Sequence, residues 1–150
     1  MKRKEGFISN SSSTSFILIC KNKKPLMEAL KVFDISENHP LSQALNSAFK
    51  EVISDNAKKM TNISEHIKYY HWFDSIDDFV KSFGYNTIEE LIESGETFDP
   101  VIKNHFQNPE WDIYFGEFES SGNSELESFL STTEINFESE EIIFQNPGSY

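Results

Sequence analysis

Few side chains in this 150-residue chain are spaced for chemistry. Its four histidines are His39, His66, His71 and His105. Only His66 and His71 are near neighbours, and a separation of five does not align them on one helical face. Asp77-Asp78 and Glu140-Glu141 are adjacent acids that point apart in regular structure, so neither pair supports Mg²⁺ or Ca²⁺. Cys20 is the single cysteine, which excludes an internal disulfide and any cysteine-rich zinc module. It falls in an apolar run and reads as a small buried hydrophobe. A Gly-rich phosphate loop, Gly-x-Ser-x-Gly and His-Glu-x-x-His are all absent from the sequence. No metal and no cofactor are therefore expected. Tyr69, Tyr70, Trp72 and Phe73 crowd around His71. Most such clusters are core, with a partly exposed anchor for a protein partner as the alternative.

Charge is a stronger signal than catalysis. The net charge is −12, but it is not evenly spread. Residues 1–24 carry +5, residues 25–103 carry −7, and residues 104–150 carry ten acids with no Lys or Arg. Those acids are Glu110, Asp112, Glu117, Glu119, Glu125, Glu127, Glu134, Glu138, Glu140 and Glu141. Direct nucleic-acid binding is not expected, because phosphate contacts need clustered bases. A protein with a basic surface is the expected partner. The competing reading is that high charge keeps a chain with fourteen phenylalanines in solution. No apolar run approaches the ~20 residues of a membrane span, and Phe16–Cys20 is too short for a signal-peptide core. A cytosolic protein without a membrane partner is expected.

The N-terminus holds one distinctive string, Lys4-Glu5-Gly6-Phe7-Ile8-Ser9-Asn10-Ser11-Ser12-Ser13-Thr14-Ser15-Phe16-Ile17. It resembles the opening of a scattered group of small phage and bacterial proteins whose activity is not established. Those chains begin with a basic residue, Gly-Phe-Val/Ile-Ser-Asn, a serine run and then Phe; Thr14 departs from the run but keeps the hydroxyl. The resemblance covers about a tenth of the chain. It implies a phage or bacterial origin and no catalytic residue. Physically, Gly6 permits a positive φ, Asn10 tolerates one, and small hydroxyl residues bond to nearby backbone. A structural hook over residues 1–14 is the favoured reading. The alternative is a modification segment beside Lys2, Arg3 and Lys4, which fails if its hydroxyls are inaccessible.

One enzyme reading is open. Arg3, Ser13-Thr14-Ser15 and Glu117-Phe118-Glu119 occur in the order of the Arg, Ser-Thr-Ser and Glu-x-Glu motifs of some ADP-ribosyltransferases. That resemblance implies phosphate binding by Arg3, ribose contact by the serine strand, and acceptor orientation by Glu119. The spacing opposes it, since a separation of ten from Arg3 to Ser13 leaves no room for that family's intervening strand and helix.

The elements that must position these residues follow from hydrophobic period and capping. Ser15–Cys20 reads as a buried strand. Residues 26–106 read as helical. Pro40 enters an amphipathic stripe of Leu41, Leu45, Ala48, Phe49, Val52 and Ile53. Ser75-Ile76-Asp77-Asp78 is a capping-box variant with Asp for the usual Glu or Gln, Thr87-Ile88-Glu89-Glu90 is a fuller capping box, and Gly84 and Gly95 close the two helices. The pair is not a DNA-binding helix-turn-helix, because its second helix offers Glu89, Glu90 and Glu93 and no base. Trp111, Ile113 and Phe115 alternate with Asp112, Tyr114 and Gly116, and Gly116 reads as a bulge. Leu126, Phe129 and Leu130 suggest a short helix, and residues 135–138 and 142–144 a hairpin, ended by a tail over 146–150. The expected fold is one α+β domain over residues 1–150. Its N-terminal strand joins a C-terminal antiparallel sheet, with the helical middle segment packed on one face. That sheet would bring the basic head to the acidic tail. The expected function is that of a small accessory protein that binds a basic partner, with mimicry of nucleic-acid charge as one form. ADP-ribosyl transfer and a minor virion role are the alternatives.

Overall fold

The computed structural model describes residues 13–97, 99–119, 124–132 and 134–148. At its centre lies β1 (Ser13–Cys20), whose Phe16, Ile17, Leu18, Ile19 and Cys20 are all essentially inaccessible to solvent. A strand that is apolar on both faces has to be covered twice. The sheet around it is antiparallel, in the order β2 (Lys58–Lys59), β3 (Asp112–Glu119), β1, β5 (Ile142–Gly148), β4 (Asn136–Glu138). The N-terminal strand thus pairs with C-terminal strands on both sides, and the α+β class expected from sequence holds.

Helices lie against both faces. One face carries α3 (Ile63–His71), α4 (Ile76–Ser82), α5 (Ile88–Ser94) and α6 (Pro100–Gln107). Their Ile67, Phe79, Val80, Leu91, Val101 and Ile102 pack on Ile17, Ile19, Ile113 and Ile143. The other face carries α1 (Leu26–Ala29, continued by a 3-10 turn to Phe33), α2 (Pro40–Asn56) and α7 (Glu125–Thr132). There Leu30, Ile53 and Leu130 pack on Phe16, Leu18, Phe118 and Phe144. The middle segment, expected on one face, therefore divides between two; alternate residues of β1 each need an apolar cover. Phe16 stacks on Phe118 with centroids 4.5 Å apart and on Phe144 at 5.7 Å. Each such buried ring contributes ~1.5–3 kcal/mol by removal of apolar surface from water.

Local signals set most helix ends. Thr87 Oγ1 accepts from the Glu90 N–H while the Glu90 carboxylate accepts from the Thr87 N–H, so the capping box closes. Ser75 Oγ accepts from the Asp78 N–H. Gly84 and Gly95 take φ of +88° and +73°, the left-handed conformation that ends a helix. Three expectations change. Gly116 is not a bulge, because β1 and β3 run in unbroken register from Ser13↔Glu119 to Cys20↔Asp112. The irregularity falls instead between β1 and β5, at Ser15/Ile17. β5 extends through Asn146, Pro147 and Gly148, so the tail is part of the sheet, as Ser13 and Thr14 are part of β1. In α2, Ile53 is buried, but Leu41 and Leu45 stay exposed, Leu41 at 73%.

Candidate functional site

The sheet brings the serine strand against the Glu-x-Glu strand. Ser13 is the Cα partner of Glu119, and Ser15 of Glu117. Strand alternation places Ser15 and Glu117 on the face covered by α3. Beyond the last apolar layer on that face lies an open groove of about 680 Å³ between β2, the end of β3, and α3. Ser15, Lys58, Glu65, Tyr69, Glu117 and Glu119 line it. Tyr69 is 66% exposed, whereas its neighbour Tyr70 stacks on His66 at 4.9 Å. Lys59 also reaches the groove, but its ammonium lies 3.4 Å from Asp112 Oδ1. Among the described residues, the three groove carboxylates Glu65, Glu117 and Glu119 pair with no lysine, and Lys58 lines the same groove.

At the inner wall of the groove stands His66. Its Nε2 lies 2.6 Å from Asp99 Oδ2, and His71 Nε2 lies 2.6 Å from the same oxygen. The side chains are 1%, 26% and 7% exposed for His66, His71 and Asp99. Asp99 also caps α6: its Oδ1 accepts from the Val101 N–H at 2.9 Å, with Pro100 in the first turn. Burial alone would raise the Asp99 carboxyl. The hydrogen bonds of His66 and His71, and their proximity, outweigh it and hold the group well below the usual carboxylate range. His66 is clamped between the Tyr70 and Phe115 rings, and His71 leans on Phe79 at 4.8 Å.

This convergence departs from the sequence expectation that a five-residue spacing separates the two histidines. They do sit on different flanks of α3, but His71 is its last helical residue, and a second element enters between the two flanks. Asp99 arrives there on the first turn of α6. Its signal in the sequence was the Asp-Pro pair, a capping residue followed by the residue favoured at the first helical position. Nothing in that pair announces a histidine contact.

The ten acids do not form one face. Glu127 is buried, and its carboxylate accepts from the Glu119 N–H at 3.0 Å. Asp112 lies 3.4 Å from Lys23 Nζ, Glu138 lies 3.6 Å from Lys21 Nζ, and Glu141 pairs with Lys24. The basic segment after β1 thus meets the acidic C-terminal strands, as the charge pattern predicts. Glu110, Glu117, Glu119, Glu125, Glu134 and Glu140 are exposed. Only Glu117 and Glu119 among the ten reach the groove. In the N-terminal motif, Thr14 is half-buried and its hydroxyl donates to the Ser131 carbonyl, Ser15 lines the groove, and Phe16 is core. Gly6, Phe7, Ser9, Asn10, Ser11 and Ser12 lie outside the described residues, as does Arg3. Around His71, Phe73 is half-buried and packs on Phe79, while Trp72 is exposed at a left-handed φ of 63°. The aromatic cluster is therefore part core and part surface.

No family model, curated protein or solved structure matches the chain. Among the described residues, no helix is long and apolar enough to cross a membrane.

Proposed function

We propose that the protein acts by binding another protein, taking a basic segment of that partner into the groove beside β3. One observation carries the reading: Glu65, Glu117 and Glu119 line the same groove as the exposed Tyr69. Carboxylates lining a groove attract Lys and Arg, and a tyrosine at the rim offers apolar area. The acids nearest Lys21, Lys23 and Lys24 are occupied by those lysines, which favours a local grip over a broad display of charge. The setting follows the serine-rich opening: an accessory protein of phage or bacterial origin, at work in the host cytosol. A fluorescent oligo-arginine peptide is the probe. Its anisotropy should report binding that weakens steeply with added salt, and Glu117→Gln/Glu119→Gln should weaken it about tenfold. Equal affinity for wild type and the double variant would sink the reading.

ADP-ribosyl transfer has one observation in its favour, the pairing of Ser15 with Glu117 and of Ser13 with Glu119 across adjacent strands. Incubation with labelled NAD decides it. Label transfer by wild type and none by Glu119→Ala would favour the enzyme; no transfer by wild type would exclude it.

A further inference from the structure

Three side chains from two elements converge in the shielded layer between α3 and the start of α6. His66 Nε2, His71 Nε2 and Asp99 Oδ2 all lie within 4.8 Å of one another. We infer that these three atoms form a binding site for a divalent transition ion of the zinc class.

The donor set selects the ion. Two imidazole nitrogens and one carboxylate oxygen suit Zn²⁺, Co²⁺, Ni²⁺ and Fe²⁺, whereas Mg²⁺ and Ca²⁺ demand oxygen. The ligands are also held in place by neighbours of the kind that metal sites use. The second oxygen of Asp99 is tied to the Val101 N–H, which leaves Oδ2 as a single-oxygen ligand. The His66 ring is fixed by Tyr70 and Phe115, each 4.9 Å away, and His71 by Phe79. An ion ~2.0–2.2 Å from each donor spaces neighbouring donors about 3.3 Å apart in a tetrahedron. From the observed 2.6 Å, the rings need part by less than ~1 Å, which small χ adjustments provide. His71, the partly exposed member, gives the route of entry.

Charge points the same way. The Asp99 carboxylate is 7% exposed, and a charge buried to that depth needs a counter-charge. A divalent ion supplies one. Three protein ligands leave a fourth tetrahedral position for water or for an anionic group.

The rival arrangement is a carboxylate that only accepts two N–H bonds, and one substitution separates the two. His71→Gln retains an N–H donor for Asp99 but removes the imidazole ligand. Chelator-treated protein is titrated with ZnCl₂ by calorimetry and with CoCl₂ by visible absorption. Wild type should bind one equivalent with micromolar or tighter affinity, and Co²⁺ should develop the d–d bands of a low-symmetry site. His71→Gln and Asp99→Asn should each weaken binding by about 100-fold or more. His39→Ala, which removes an exposed histidine far along the chain at the start of α2, should leave it unchanged. Circular dichroism monitors folding; should Asp99→Asn unfold, His71→Gln decides alone. Absence of Zn²⁺ binding, or binding that survives His71→Gln, overturns the site.

Discussion

Gly116 faces Phe16 across the β1–β3 ladder, and the Phe16 ring fills the space that a side chain at position 116 would occupy. A Cβ at 116 would lie 2.5 Å from the ring's Cε2 and 2.5 Å from the Asn56 carbonyl oxygen at the end of α2. The same ring stacks on Phe118, two residues along β3. Gly116→Ala should therefore cost about 1–3 kcal/mol, because the ring and the α2 terminus must both shift. Urea denaturation checks it, and a midpoint equal to wild type would show that the layer can open freely.

Position decides what an acid in the C-terminal third does. Glu127 is buried and holds the Glu119 N–H, whereas Glu125 is exposed two residues earlier. Glu127→Ala should destabilise by about 1–3 kcal/mol, since it strands a backbone donor and empties a packed site. Glu125→Ala should stay within about 0.5 kcal/mol of wild type. Chemical denaturation of the two variants side by side is the measurement.

Cys20 offers a test in alkali. Burial, and secondarily the nearby Asp112 charge, push its thiol up to about 11 from the usual 9.0. A raised pKa means that the folded state holds its proton longer than the unfolded state. The associated stability is complete below about pH 9 and is lost as pH rises toward 11. Wild type minus Cys20→Ala stability should fall across that window. Thiol reagents at pH 8 should label Cys20 only after denaturation.

Tyr69 and Tyr70 are adjacent but should answer differently. Tyr70→Ala removes a ring stacked on His66 and should cost about 2 kcal/mol or more in stability. Tyr69→Ala should leave stability within about 0.5 kcal/mol yet weaken oligo-arginine binding. Thermal melts and peptide anisotropy on both variants separate the two roles. Undiminished peptide binding by Tyr69→Ala would remove the tyrosine from the groove's function.

Much of the framework was legible in one dimension. The doubly apolar Phe16–Cys20 run announced a buried strand, and the Ser75 and Thr87 caps with Gly84 and Gly95 bounded two helices, because capping depends on residues a turn apart. The split of charge announced the meeting of Lys21, Lys23 and Lys24 with Glu138, Asp112 and Glu141. β2 was not legible, since two lysines at a sheet edge carry no hydrophobic period. Nor was the fate of Glu127, whose burial depends on how α7 docks on β3.

The sequence by itself determined the class of fold, the central strand and the ends of α4 and α5, all of which rest on residues close along the chain. Only the tertiary structure decided which acids remain free and which histidines share a carboxylate. His66 and Asp99 are 33 residues apart, and their 2.6 Å contact exists because α3 and α6 pack on the same apolar face of β1. Local pattern specifies an element and its buried side; the packing of those sides brings distant polar groups to a common point.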